Sequence, residues 1–180
     1  MPRNWKAPVT DLGNWPRMVQ LAYLLADGEG NRLAGGDFII KPAGFKIPVE
    51  AARIHGITTE RAEKEGKELA AVLKEFQAAI NKAEYLIAHN MSFDEKIIGA
   101  EFLRNKMPDS LPAKKRICTM ESSTAYCALP GPYGNKWPKL TELHHKLFQK
   151  GFEEAHNAAA DIAATVKCFW ELKRRGVIEV

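Results

Sequence analysis

The sequence predicts a mixed α/β fold, and three observations lead to this prediction. A short β-prone apolar run ends at a cluster of turn-forming residues, and a second run stopped by proline follows, which is the pattern of a β-hairpin. Apolar residues then recur at helical spacing over a long segment. A compact apolar run and another helical segment come next, and strands that alternate with helices in this way are typical of βαβ units.

Length and composition indicate one globular domain over residues 1–180, with an irregular arm at 1–17. A chain of 180 residues is long enough to bury a self-sufficient core. Apolar residues make up 46% and charged residues 27%, which excludes collagen-like, disulfide-scaffold and disordered classes. The apolar runs are only a few residues long, so we expect no membrane span.

The number of cysteines and the net charge bear on the cellular compartment and on the kind of partner. The three cysteines, Cys118, Cys127 and Cys168, are odd in number and match no zinc pattern, so we expect free thiols in a reducing, cytoplasmic compartment. The start of the chain shows no secretory signal pattern. The net charge of +4 permits a polyanionic partner without requiring one.

The first half of the chain is read as follows. The hairpin strands are Met18–Leu25 and Gly36–Lys41, joined by the turn formers at 27–31. Beyond them the patterns predict a short helix over 48–54, a capped turn at 58–62, an amphipathic helix over 69–80, a buried strand at Tyr85–Ala88 and a helix over 92–106.

The second half predicts fewer strands. Residues 117–120 have the pattern of a short strand and 121–129 that of a helix. The glycine- and proline-rich stretch 130–135 is predicted to be a loop. Two further amphipathic helices are expected, one around Leu140–Leu147 and one over 158–175.

Two segments share the pattern His-Asn-x-x-x-Asp, at 89–94 and at 156–161. Five positions on a helix advance by about 500°, so His and Asp can face one site only if the His lies in the loop before the helix. The plain alternative is that each Asp favours its helix dipole and each His-Asn caps a helix. Asp94 follows a buried strand at its carboxyl end, where α/β sheets collect ligands, which favours a functional site.

The residues around these segments resemble the DEDDh 3′–5′ exonucleases, including the proofreading epsilon subunit of bacterial DNA polymerase III. The resemblance rests on the string from Leu86 to Asp94, on His156 with Asp161, and on the upstream segment Ile54–Thr58. These motifs follow the family's order over most of the chain.

The resemblance implies a ribonuclease H-like three-layer fold with a mixed central sheet. It implies four carboxylates that hold two Mg²⁺ or Mn²⁺ ions, and a histidine that activates the attacking water. Asp94 and Asp161 would be metal ligands and His156 the general base. Hard divalent cations prefer oxygen ligands, and paired ions stabilise both the attacking and the leaving oxygen.

The resemblance also implies a cleft for the terminal nucleotide. Ile54 and His55 would clasp that nucleotide, Phe93 would stack or wedge against it, and His89 and Asn90 would line the same cleft. The alternative is that Ile54 and Phe93 belong to the core and that His55 is a turn residue. The expected partner is a nucleic-acid 3′ end, single-stranded DNA first, and a polymerase partner and a homodimer are further expectations.

The chain departs from this family at its first motif. The Asp-x-Glu pair of the opening strand is absent. Asp27-Gly28-Glu29 has the right letters but lies among turn formers, and Asp11 has no Glu two positions later. With two of four carboxylates missing we expect weak or no nuclease activity, and the family's first strand is expected to be lacking. A strand from a partner chain, a rearranged sheet or a longer natural protein would each resolve this, and we favour the last.

Two other functions stay open at this point. One is a non-catalytic nucleic-acid or protein-interaction module with the same fold. The other is a one-metal phosphohydrolase that uses both His-Asn-x-x-x-Asp segments, which the helical angle disfavours. The basic runs at 114–116 and 136–139 either contact phosphates or form an ordinary solvated surface.

Overall fold

The first regular secondary structure of the chain is the β-hairpin. The computed structural model describes residues 2–152 and 157–180. Strands β1 (Gln20–Ala26) and β2 (Arg32–Ile39) pair antiparallel. The Asp27 carboxylate closes their turn, because it accepts hydrogen bonds from the backbone N–H groups of Glu29 and Asn31, both at 2.9 Å. The interpretation of this acidic pair as a turn is confirmed.

Three helices follow the hairpin. They are α1 (Val49–His55), α2 (Thr59–Glu65) and α3 (Leu69–Lys82). The N-cap of α2 is Thr58, whose hydroxyl accepts from the backbone N–H of Arg61. The amphipathic pattern predicted for α3 is confirmed, since its apolar face is buried in the main core.

A βαβ unit forms the middle of the chain, as predicted. Strand β3 (Tyr85–Ala88) leads into α4 (Met91–Arg104) and pairs in parallel with β4 (Lys115–Cys118). A single 3-10 turn at Leu111–Ala113 lies between α4 and β4. The predicted strand at 117–120 is displaced by two residues, because the chain already turns into the next helix at Thr119.

The last third departs from the sequence prediction in two places. Residues 121–129 do not form one helix but two short ones, α5 (Thr119–Ser122) and α6 (Thr124–Cys127). The Ser123 hydroxyl at the junction donates to the carbonyl of Thr119 at 2.6 Å and competes with the helical pattern. The predicted loop at 130–135 is a small hairpin of β5 (Pro130–Gly131) and β6 (Gly134–Asn135).

Two long helices complete the chain as expected, α7 (Leu140–Phe148) and α8 (Ala158–Arg174). Within the described ranges, no helix is long and apolar enough to cross a membrane. The three cysteines are free thiols, in agreement with the prediction.

The strands lie between two helical layers. On one side, Leu21 of β1 and Leu86 of β3 belong to the same apolar cluster as α3 and α4. On the other side, Ile87 of β3 and Ile117 of β4 pack with α7 and α8. Helix α8 contacts both β1 and β3. Neighbouring side chains of one strand therefore enter opposite layers, which is the arrangement of a three-layer α/β fold.

The central sheet is interrupted. Strand β1 pairs with β2 and strand β3 pairs with β4, but in the described part of the chain no strand joins the two pairs. The predicted mixed sheet is thus present as one antiparallel and one parallel pair. The missing ladder is the interruption expected of a sheet without the family's first strand.

The arm at 2–17 is irregular, as predicted, but it is fixed to α4. The fully buried carboxylate of Glu101 accepts hydrogen bonds from the Arg17 side chain and from the backbone N–H of Met18, at 3.0 and 2.9 Å. The Arg104 guanidinium pairs with the same carboxylate and donates to two carbonyls of the arm. These hydrogen bonds and ion pairs therefore hold the arm against α4.

Candidate active site

The two aspartates predicted as metal ligands occupy equivalent positions on two helices. Asp94 is the fourth residue of α4 and Asp161 the fourth residue of α8, and an asparagine precedes each helix. Asn157 caps α8 by accepting from the backbone N–H of Ala159 at 3.0 Å. Asn90 instead takes a left-handed conformation with φ of 73°, which turns the chain from β3 into α4.

The structure brings these two carboxylates together. Burial, together with the smaller effects of the negative charges of Asp161 and Glu95, raises the pKa of Asp94 to about 7. Asp161 is therefore close enough for its charge to act on Asp94 across the two helices. Two carboxylates that repel each other in a partly buried site favour the binding of a proton or of a cation.

Glu95 is a third acidic residue near this pair, and an ion pair already compensates its charge. Its carboxylate forms an ion pair with the guanidinium of Arg116 on β4. The neighbouring basic residues are also held within the protein: Lys114 donates to the carbonyls of Asn81 and Ala83, and Lys115 pairs with Glu84. The contacts of the run 114–116 favour a structural role for it over phosphate binding.

His89 lies at the carboxyl end of β3, and both of its ring nitrogens are bonded. The Nε2–H donates to the carbonyl of Pro138 and Nδ1 is hydrogen-bonded to the Thr119 hydroxyl, each at 3.0 Å, and that hydroxyl also lies 3.3 Å from the carbonyl of Ala88. Burial lowers the pKa of His89, which favours the neutral ring. The ring links β3, α5 and the segment before α7, and the one-metal phosphohydrolase that would need a free His89 nitrogen is disfavoured.

Phe93, predicted to stack on the terminal nucleotide, lies one residue before Asp94 and is half-buried. Its ring centroid is 5.5 Å from that of Trp5, with an angle of 45° between the planes. The structure therefore places a residue of the arm beside the predicted site. Sequence analysis missed Trp5, and the only signal was an aromatic residue within an otherwise polar, basic stretch.

Ile54 and His55 are the last two residues of α1. Ile54 is 64% exposed, so it is not a core residue. His55 Nδ1 accepts from the backbone N–H of Ile57, and burial lowers the pKa of its ring. The cluster that includes Ile57 packs against Val19 and Ile39 of the hairpin segment. The contact of Ile54 and His55 with a nucleotide stays a prediction, and so does that of Asn90.

The general base predicted at His156 lies outside the described residues. Among the residues that are described, no group of three or more His, Cys, Asp or Glu side chains is arranged to hold a metal ion. The neighbouring carboxylates of Asp94 and Asp161 nevertheless suit one hard cation, because an ion would offset the burial and the neighbouring negative charge that together raise the pKa of Asp94. A two-ion site would need further carboxylates.

Comparison with known proteins agrees with the resemblance found in the sequence. A family model described as RNase_T, exonuclease, matches residues 10–169. A search of curated proteins finds no significant match.

Solved structures of Escherichia coli exonuclease I are similar to this chain. A zinc-bound complex of that enzyme with single-stranded DNA shares 26% identity, with a TM-score of 0.71 over 88% of this chain and 37% of the other. A complex with a dT13 oligonucleotide shares 22% identity, with a TM-score of 0.75 over 97% and 40%. The predicted ribonuclease H-like α/β fold is thereby confirmed, and the chain spans about two fifths of the length of exonuclease I.

Proposed function

Because the chain belongs to the RNase_T exonuclease family, we propose that it is the nuclease domain of a metal-dependent 3′–5′ exonuclease. It would shorten nucleic acids by hydrolysing the phosphodiester bond of the 3′-terminal nucleotide. The observation that carries the proposal is the electrostatic coupling between Asp94 and Asp161 at the same position of two helices.

The proposal gives these residues distinct roles. Asp94 and Asp161 would hold Mg²⁺ or Mn²⁺, and the bound metal would supply Lewis-acid activation and stabilise the leaving oxygen. His156 would remove a proton from the attacking water, a role typically worth about 10²–10⁴-fold in rate. Phe93 would stack on the terminal base, and His89 and Asn90 would shape the turn that presents it.

We further propose that an Asp-x-Glu strand completes this site. The two strand pairs lie between the same helical layers, and no strand of the described residues joins β1 to β3. A strand inserted there would pair with both edges and would bring two carboxylates to the end of the sheet where β3 leads into α4. Without it the chain would have weak activity or none.

Single-stranded DNA is the substrate we propose first. The two exonuclease I structures compared with this chain are complexes of that enzyme, one with single-stranded DNA and one with dT13. The polymerase partner and the homodimer stay predictions from the resemblance.

The proposal is tested with a 5′-labelled single-stranded DNA oligonucleotide and Mn²⁺. The proteins compared are this chain, a version with an Asp-x-Glu strand fused before Pro2, and the fused version carrying Asp161→Asn, His156→Ala or Glu63→Gln. Glu63 is an exposed carboxylate on α2 and serves as the matched control.

Stepwise shortening from the 3′ end is expected for the fused protein and its Glu63→Gln variant only. Equal activity of Asp161→Asn would remove the metal-ligand role, and equal activity of the unfused chain would remove the need for the added strand. If every protein binds the oligonucleotide and none shortens it, the chain is better described as a nucleic-acid-binding module. The described residues contain no group of three or more His, Cys, Asp or Glu side chains that could hold a metal ion, and this favours that second candidate.

A further inference from the structure

The arm presents a large aromatic side chain at the surface beside the candidate site. Trp5 is 47% exposed, and its indole contacts Phe93 through ring centroids 5.5 Å apart. Phe93 immediately precedes Asp94 on α4. One ring of the pair is thus part of the site already described, and the other extends it outward along the arm.

The arm holds Trp5 firmly in this position. Asn4 and Asn14 form a reciprocal pair of hydrogen bonds, in which the Asn4 N–H donates to Asn14 Oδ1 at 2.8 Å and Asn14 Nδ2 donates to the Asn4 carbonyl at 2.9 Å. The carbonyl of Trp5 itself accepts from Lys96 Nζ at 2.7 Å. The Lys96 ammonium also lies over the ring of Trp15, which is buried. The indole is therefore exposed on a fixed backbone, not at the end of a loose one.

The charge around Trp5 suits a polyanion. Arg3 and Lys6 flank it, both are exposed, and no acidic residue occurs in the arm before Asp11. An exposed aromatic ring between cations is the combination with which proteins bind single strands, because bases stack on the ring while phosphates meet the charges.

We propose that Trp5 and Phe93 form a two-ring platform for the bases of a single-stranded substrate, with Trp5 taking the base that follows the terminal one. This inference rests on the proposed function, since it places the strand on the Asp94 side of α4. It adds a substrate-positioning residue that stands outside the carboxylate and histidine motifs. Stacking is tolerant of base identity, so the platform would accept all four bases.

Binding without cleavage tests the platform directly. A fluorescein-labelled dT12 is titrated with the protein in EDTA, and anisotropy gives the Kd at several salt concentrations. Trp5→Ala is compared with Trp5→Phe, with Lys6→Ala and with Tyr133→Ala. Tyr133 is a fully exposed aromatic residue in the turn between β5 and β6 and is the matched control.

The expected results separate stacking from charge. Trp5→Ala raises Kd by about tenfold without changing the dependence of log Kd on log salt, while Trp5→Phe changes Kd by no more than about threefold. Lys6→Ala reduces the salt slope by about one. Tyr133→Ala binds as the unmodified protein does. An oligonucleotide that carries 5-iodouracil photocrosslinks to Trp5, identified by mass spectrometry of the peptide.

Two results would overturn the two-ring platform. Unchanged affinity of Trp5→Ala together with no crosslink at Trp5 overturns the platform and leaves the exonuclease proposal intact. No binding of dT12 by the unmodified protein also overturns it. A platform confirmed here, with no shortening by the fused protein above, means that the strand is bound but not cut. If Trp5→Ala proves poorly folded by its melting curve, the crosslink to Trp5 decides: its presence supports the platform and its absence overturns it.

Discussion

Besides burial, the negative charge of Asp161 on α8 raises the pKa of Asp94 on α4, although the two residues are far apart in the sequence. Each is the fourth residue of its helix, and each helix follows an Asn. The fold therefore places the aspartates of a repeated sequence pattern near enough for the charge of one to act on the other.

Asp94 should make the metal-free protein less stable as the pH rises. Its pKa is about 7 in the folded state and 3.8 ordinarily, so the folded state holds the proton more tightly than the unfolded chain. The stability that this proton contributes is complete below pH 3.8 and is lost as the pH rises through 7. The full loss is on the order of 4 kcal/mol, since the pKa shift is about three units and one unit corresponds to about 1.4 kcal/mol.

Asp94→Asn should remove this loss. Denaturant unfolding in EDTA at pH 5 and pH 8 is the measurement, and the variant should gain stability relative to the unmodified protein at pH 8. A variant that is the less stable of the two at pH 8 would contradict the account of the site. Mn²⁺ should stabilise the unmodified protein and have a smaller effect on the variant.

Glu101→Ala should destabilise the protein by about 3–5 kcal/mol. The change removes a buried carboxylate and leaves the Arg17 and Arg104 guanidinium groups without it at the junction of the arm and α4. Denaturant unfolding measures the effect. Glu84→Ala, which removes an exposed partner of Lys115, is the control and should change stability little. A small effect of Glu101→Ala would show that the arm is not held through this residue.

His89 should stay neutral at a pH where an ordinary histidine is half charged. Because burial lowers the pKa of its ring, the folded protein binds the proton more weakly than the unfolded chain, whose pKa is 6.5. Stability is therefore complete above pH 6.5 and falls as the solution is acidified. An NMR titration of its ring resonances should give a midpoint below 6.5. A titration midpoint at or above 6.5 would mean that the bonds to Thr119 and Pro138 do not persist.

Cys168 should resist alkylation in the native protein. Burial, with a contribution from Cys127, raises its pKa to about 12, and burial also raises the pKa of Cys127. Cys118 is only half-buried. Iodoacetamide at pH 8 should modify Cys118 first, as read by mass spectrometry, and all three thiols should react in urea. Early modification of Cys168 would argue against the packing of α8.

Much of the fold follows from local patterns. The amphipathic spacing of α3 and the turn formers after β1 predict elements that agree with the structure within a few residues. The prediction of one helix over 121–129 is wrong because the Ser123 side chain bonds to the backbone one turn earlier. The small hairpin at 130–135 was not predicted, since two-residue strands carry almost no pattern.

The site was less accessible from the sequence. The repeated His-Asn-x-x-x-Asp pattern pointed to Asp94 and Asp161, and their proximity agrees with that reading. No local pattern indicates that Glu101 binds Arg17 or that Trp5 meets Phe93, because these contacts join segments more than 80 residues apart. Such pairs depend on the path of the arm over α4, which tertiary packing alone determines.

The interrupted sheet has a consequence for how the protein unfolds. The β1–β2 and β3–β4 pairs are connected by side-chain packing in the helical layers, and they share no backbone ladder in the described residues. Each strand pair can therefore open without first breaking a backbone ladder to the other, and hydrogen exchange would separate the two pairs into two cooperative units. A strand bound between them would merge the two units, so its arrival would be recorded as slower amide exchange in both pairs at once.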